Sequence, residues 1–243
     1  MLPALYHAHH SRYQEDLPFW LNLTARTGAP LLELGCGTGR VLVPLAQAGH
    51  RTVGIDHDPG MLKFLQANIG RQLKPEPLLL VADIRKFNLA VQFPLIILPC
   101  NTFSTLREPE RLACLEYIRK HLKHGGMFAA SIPNPELIKN LPARSKNQLE
   151  DEFIHPRTGN PVQVSSAWKR LKNTFVVTWI YDHLLPDGKV ERFTVRTSHQ
   201  MSTIGAYLEE IRRVGMKVSG IYGDYDCTDY RQDSPYLIFL LSV

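Results

Sequence analysis

The chain has 243 residues, 44% hydrophobic and 21% charged, enough for one large α/β domain or two small ones. Its 28 Lys and Arg against 23 Asp and Glu leave a formal net charge of +5. The basic residues are scattered, with small clusters at Arg119-Lys120, Lys169-Arg170 and Arg212-Arg213, which argues for a mildly basic surface and against a nucleic-acid stripe. The longest nearly uninterrupted apolar stretch, Phe93 to Cys100, falls well short of the roughly 18 residues of a membrane span. The stretch from Met1 to His10 lacks the basic region and long apolar core of a secretory signal. Cys36, Cys100, Cys114 and Cys227 are widely spaced and form no C-x-x-C pair. That usage predicts free thiols in a reducing cytoplasm, with neither a disulfide frame nor a zinc site.

In chain order, residues 1–30 form a segment expected to be helical, bearing Tyr6 and Tyr13. Leu31–Leu34 reads as a short strand ending on the acid-bearing turn E-L-G-C-G-T-G-R, Glu33 to Arg40. A helix follows over Val41 to Ala48, with Pro44 tolerated in its first turn, and Gly49 ends it. Arg51–Ile55 is the second strand. Asp58-Pro59 is a helix start, with Asp as cap and Pro at the first position, and Met61, Leu62 and Leu65 give that helix its apolar stripe. Leu78–Ala82 and the all-apolar Leu95–Leu98 are strands three and four. Pro109 to Lys123 is a helix closed by Gly125-Gly126, and Met127–Ile132 is the fifth strand. This alternation predicts a parallel sheet with helices on both faces.

After Pro133 the style changes. Residues 136–160 are polar and read as a connector. Val162–Arg170, Thr174–Leu185 and Glu191–His199 read as an antiparallel meander, with Pro186-Asp187-Gly188 as a turn. Ser202 or Thr203 then caps a helix to about Val214, closed by Gly215, and Lys217–Tyr222 and Tyr236–Val243 are the last strand pair.

The loop after the first strand carries most of the chemistry. A strand, a tight glycine turn and a helix N-terminus make a cradle of backbone N–H groups. The dinucleotide fingerprint G-x-G-x-x-G needs glycine at position 40, where this chain has Arg40. The glycines run G-x-G-x-G instead, at Gly35, Gly37 and Gly39, with Glu33 two residues before the first. This pattern resembles the first motif of class I S-adenosylmethionine (SAM) methyltransferases. The resemblance covers residues 28–135 and, less closely, 200–243. It implies an α/β Rossmann-like seven-stranded sheet, mostly parallel with an antiparallel last strand, plus an inserted antiparallel β meander. The implied cofactor is SAM, leaving S-adenosylhomocysteine (SAH) as product.

The same resemblance implies the site residues. Asp56, ending strand two, would accept from the ribose diol, and Asp83, ending strand three, would meet the adenine amine. His57, Met61, Ala82 and Ile84 stand beside them. Glu33 would orient the glycine loop and the methionine amine. Cys36 and Thr38 complete the loop, Cys36 as a small spacer and not a nucleophile. Pro99, Cys100, Asn101 and Phe103 would lie under the methionine part and the methyl group. Tyr6 and Tyr13 are candidates to approach the cofactor, since phenol faces stabilise a sulfonium and hydroxyls bond a carboxylate. Packing of a helix onto the sheet is an equal alternative for each.

The loop after strand four narrows the acceptor. Asn101 precedes Thr102 and Phe103 without a Pro-Pro pair, against the enzymes that methylate exocyclic base amines or glutamine amides. Pro99-Cys100 superficially resembles the nucleophile of carbon-5 cytosine enzymes, but no large recognition domain is present. The meander and the tyrosine-bearing N-terminus resemble glycine and amino-sugar N-methyltransferases. Residues 1–30 are then expected to cover the cofactor, 31–135 with 200–243 to bind it, and 136–199 to cap the acceptor. Tyr13, His199 and Asn101 are the candidate catalytic residues, His199 as a base titrating near neutrality; a structural histidine is the competing reading. Trp179 and Tyr181 share one strand face and are candidates to line an apolar pocket. The expected partner is a small-molecule acceptor at nitrogen or oxygen, with no metal and no membrane. An RNA or protein methyltransferase and a SAM-binding protein without turnover remain as alternatives, as does a homo-oligomer.

Overall fold

The computed structural model describes residues 1–70 and 73–243. The elements run α1 (Leu2–His10), α2 (Leu17–Thr27), β1 (Leu31–Leu34), α3 (Leu42–Gln47), β2 (Thr52–Asp56), α4 (Pro59–Asn68), β3 (Leu78–Val81), β4 (Phe93–Leu98), α5 (Thr102–Thr105), α6 (Glu108–His121) and β5 (Leu122–Pro133). They continue with α7 (Pro135–Asn140), β6 (Gln148–Ile154), β7 (Pro161–Arg170), β8 (Thr174–Leu184), β9 (Val190–Gln200), α8 (Ile204–Arg213), β10 (Lys217–Tyr222) and β11 (Tyr236–Ser242). Seven strands form one sheet in the order β10-β11-β5-β4-β1-β2-β3. Only β11 runs against its neighbours, pairing antiparallel with both β5 and β10. A second, antiparallel sheet has the order β6-β7-β8-β9.

Strand alternation sorts the core to two faces. Ile96, Leu98, Phe128 and Phe239 face α6 and α8. Leu31, Leu95, Ile97 and Ile238 face α2 and α3, where Phe19, Trp20 and Leu23 cover them. Each such large side chain stabilises the fold by about 1.5–3 kcal/mol on burial. By the same period, Glu33 shares the face of Leu31 and lies beneath α2 and α3. The α6–α8 side also holds a buried ion pair, in which Arg111 Nε donates to Glu210 Oε2 at 2.7 Å.

The sequence expectation fails in two places. Residues 136–160 are more than a connector: α7 and β6 lie there. β6 reads Q-L-E-D-E-F-I and buries only Phe153, so its edge position replaces the usual alternation with charge. The pair Gly125-Gly126 ends no helix. α6 stops at His121, and both glycines sit within β5, where the β4–β5 register slips between Phe93 and Leu95. Gly125 takes φ +72°, and a Cβ on Gly126 would lie 2.8 Å from the Lys123 carbonyl oxygen. The pair builds a bulge, which has the same local signature as a helix stop.

Where β5 ends, Asn134 is fully buried and ties two segments together. Its Nδ2 donates to the carbonyls of Gln232 (3.0 Å) and Ser234 (2.7 Å). Its Oδ1 accepts from the Glu136 N–H and the Tyr230 hydroxyl.

Candidate active site

The C-terminal ends of β1 and β4 open into a cavity of about 500 Å³. Its floor is the glycine loop and the loop after β4; its roof is the second sheet, and the N-terminal segment closes one side. Gly37 takes φ +54° and donates its N–H to Asp56 Oδ2 at 2.8 Å. Asp56 Oδ1 accepts from the Asp58 N–H at 2.9 Å, so one carboxylate joins the glycine loop to the start of α4. At Gly39 (φ +84°) a Cβ would meet Leu65 at 2.4 Å, so only glycine lets α4 pack here.

Glu33 sits at the back of the cavity, 2% exposed. Its Oε2 has no hydrogen-bond partner among the described residues, and burial pushes its carboxyl up to about 8 even though Arg40 favours the charged form. Arg40 closes the loop. Its guanidinium forks onto Asp16, with Nη1 and Nη2 each donating at 2.6 Å. Nη1 also donates to the Tyr13 carbonyl at 2.9 Å and Nη2 to Cys100 Sγ at 2.8 Å. Trp20 Nε1 donates to the same Asp16 at 2.9 Å. A second tie runs from His7 Nδ1 to Thr38 Oγ1 (3.2 Å). Together these fasten the N-terminal segment onto the glycine loop. Nothing local in the sequence marks the Asp16–Arg40 pairing, because its partners lie 24 residues apart.

After β4 the chain turns sharply. Cys100 and Asn101 both take φ +62°, in the left-handed region that non-glycine residues rarely occupy. Asn101 Oδ1 is buried without a partner among the described residues. Its carbonyl accepts the Ser104 hydroxyl at 2.7 Å, and Ser104 Oγ lies 2.8 Å from His199 Nδ1. Since the one hydroxyl proton goes to Asn101, His199 Nδ1 must donate. The imidazole is thereby held as its Nδ1–H tautomer, with the lone pair on Nε2 left free. Burial pushes His199 down to about 4, so the ring stays neutral at ordinary pH.

The second sheet contributes Phe175, Val177, Trp179 and Tyr181 from β8, and Val195, Thr197 and His199 from β9, all on one face by the period of two. Tyr13 and Tyr236 place their hydroxyls 2.9 Å apart, and the Arg40 guanidinium lies 5.3 Å above the Tyr13 ring.

Of the residues singled out from the sequence, Tyr6, Tyr13, Glu33, Gly35, Cys36, Gly37, Thr38, Cys100, Asn101 and His199 line this one cavity. Cys36 is packed, with its thiol pushed up by burial, and a Cβ on Gly54 would touch its sulfur at 2.8 Å. Trp179 and Tyr181 line the cavity too, and the remaining cofactor candidates lie outside it. Gly39 and the buried Pro99 support its floor from behind. His57 stands exposed beside Asp56, and Met61 follows the α4 cap. Ala82 pairs with Asp56 through its N–H, and Ile84 packs on the core. Asp83 is ion-paired with Arg85 at 2.7 Å. Phe103 turns the other way: it is 2% exposed and packs between Phe128 and Tyr207, because the short α5 points it into the core. Asp16, Ser104 and the roof residue Phe175 are site components that carry no recognisable motif in the sequence, and Arg40 ends the glycine motif with nothing to mark its partners.

Comparison with known proteins agrees with this geometry. Residues 31–126 match the family described as a methyltransferase domain. The cypemycin N-terminal methyltransferase of a Streptomyces species is 34% identical over 220 residues, spanning 88% of this chain and 83% of that protein. A SAM-dependent methyltransferase from Clostridium acetobutylicum superposes with a TM-score of 0.81 at 16% identity, covering 95% of this chain and 92% of that one. The sugar N-methyltransferase KedS8 from a Streptoalloteichus species does so with a TM-score of 0.76 at 17% identity, covering 98% and 92%. The unpartnered Glu33 carboxylate, the strand-end Asp56 and the glycine cradle fit a ligand that is at once an ammonium, a diol and a carboxylate. The chain belongs to the SAM-dependent methyltransferases.

Proposed function

We propose that this methyltransferase acts on the nitrogen of an amine in a small molecule. Asp56 and the glycine loop would hold the ribose and methionine parts of SAM, with Glu33 facing the α-ammonium and the Tyr6 hydroxyl its carboxylate. Met61, Ala82 and Ile84 would flank the adenine, with His57 and Asp83 at its rim. When bound, the cofactor supplies an electrophilic methyl carbon on a sulfonium. On this reading residues 1–30 cover the cofactor, 31–135 with 200–243 bind it, and 136–199 cap the acceptor.

The observation that carries the reading is the placing of Asn101 and His199 at one cavity, Asn101 Oδ1 without a partner among the described residues and His199 Nε2 left with the ring's lone pair by the tautomer. A neutral primary amine has two N–H donors and one lone pair. Two acceptors hold the donors and leave the lone pair to aim at the methyl carbon. The low basicity of His199 favours nitrogen over oxygen. A ring held at about 4 cannot draw the proton from a phenol near 10, and a phenolate would have to enter as an anion, whereas an amine gives its proton to bulk water before entry and binds as its neutral fraction. The 34% identical relative, named for N-terminal methylation, supports nitrogen as well. The four free cysteines support a cytoplasmic setting.

Calorimetric titration with SAM and SAH tests the cofactor half. Asp56→Ala should weaken both by about 10- to 100-fold, as expected for losing a doubly accepting carboxylate. Methyl transfer tests the rest: His199→Ala should lower kcat on the order of 100-fold with SAM affinity unchanged. Full kcat in that variant would remove His199 from the mechanism.

A further inference from the structure

The cavity is uncharged where the acceptor must sit. Among its described lining residues only Glu33 and Arg40 are Asp, Glu, Lys or Arg. Both belong to the floor, and the two Nη groups of Arg40 are engaged by Asp16, the Tyr13 carbonyl and Cys100. The roof is a different surface. Phe175, Val177, Trp179 and Val195 present apolar area, and Thr197 a single hydroxyl.

Three of the tyrosine hydroxyls at the cavity are already paired. Tyr181 lies 3.1 Å from His9 Nδ1, and Tyr13 bonds Tyr236. The histidines are neutral as well: burial pushes His10 down to about 3 and His199 to about 4, and lowers His9. Yet the same sheet is rich in charge on its other side. Arg192 forks onto Asp182 with bonds of 2.6 and 2.7 Å, and Arg196 shares that face, alternating with Val195 and Thr197. Over the stretch that roofs the cavity, 175–181 of β8 and 195–199 of β9, charge is therefore sorted outward.

A carboxylate, phosphate or second ammonium drawn under this roof would lose its water and gain no counter-charge, which is strongly unfavourable. We infer that the acceptor carries its amine on an apolar or aromatic body with no second charged group near the nitrogen. This rests on the reading of the site as an amine methyltransferase.

The test compares matched probes in the full-length protein. SAH binding is first confirmed by calorimetry. With SAM present, 2-phenylethylamine and L-phenylalaninamide are then set against L-phenylalanine and glycine. The uncharged-body amines should exceed L-phenylalanine in kcat/KM by about 100-fold or more, the scale set by burying an unpaired charge. Thr197→Arg places a cation in the roof and should narrow that gap about tenfold. Where turnover is slow, calorimetry on the SAH complex gives the same ranking. L-phenylalanine within about threefold of its amide would overturn the inference, as would an SAH complex that binds neither uncharged-body amine. Failure to bind SAH at all would instead sink the underlying methyltransferase reading, and this inference with it.

Discussion

Arg40 and Asp16 meet through two parallel hydrogen bonds of 2.6 Å, with the Asp16 side chain wholly shielded from water. This fork joins the α1–α2 link to the glycine loop, and Cys100 ties in the loop after β4. Arg40→Met leaves the Asp16 carboxylate buried without a counter-charge, which costs about 3–5 kcal/mol. Urea unfolding should read that loss. Hydrogen exchange should show residues 1–27 opening more than the sheet, and Arg40→Lys should recover only part, since an ammonium lacks the fork. Unchanged protection over residues 1–27 would contradict the anchoring role.

If Glu33 faces the α-ammonium as proposed, cofactor binding releases a proton. With its folded value raised to about 8, the carboxyl is largely protonated at pH 7, and an arriving ammonium favours its ionised form. Calorimetry of SAM binding at pH 7 in buffers of different ionisation enthalpy should show release of close to one proton. Glu33→Gln should abolish that release and weaken binding about tenfold. Without ligand, the raised value also means that Glu33 stabilises the fold at low pH and loses that contribution as pH rises towards 8.

The histidines act in the opposite direction. His10 and His199 are held near 3 and 4, below the 6.5 of an unfolded histidine. Below pH 6.5 the unfolded chain binds more protons, so stability falls as pH drops from 6.5 towards 4. For His199 the full effect is about 3 kcal/mol. Melting curves across that range should be flatter for His199→Gln than for the wild type, and parallel curves would refute the assignment.

Arg111 and Glu210 offer a control away from the cavity. Their side chains are 2% and 4% exposed, and they join α6 to α8. Glu210→Gln should destabilise by about 3–5 kcal/mol while leaving kcat unchanged at temperatures where the protein is folded.

How far the sequence can be read depends on where each signal lives. The glycine loop and the strand-end Asp56 are local: a tight turn needs glycine, and a strand end needs only its own apolar run. Their positions in the fold were therefore legible, as was the meander, with β7, β8 and β9 beginning and ending within a residue or so of the expectation. β6 was hidden because its edge strand is charged, and Gly125-Gly126 because a bulge and a helix stop use the same residues. Phe103 was misplaced by a turn of backbone: two left-handed residues before it re-aim the chain. The partners of Arg40 and His199 left no local trace, since Asp16 and Ser104 meet them only after folding.

The insertion that carries the second sheet opens with α7 just after Asn134, and its strands run from Gln148 to Gln200; Asn134 itself is secured to residues 232–234. On the proposed reading the roof over the acceptor is one contiguous insertion, and its entry at Asn134 is fixed independently of its contents. On that reading a lineage, or an engineer, could exchange the insertion for another and keep the methyl donor site, so that diversification of acceptors becomes a matter of grafting, with the donor half as the constant stock.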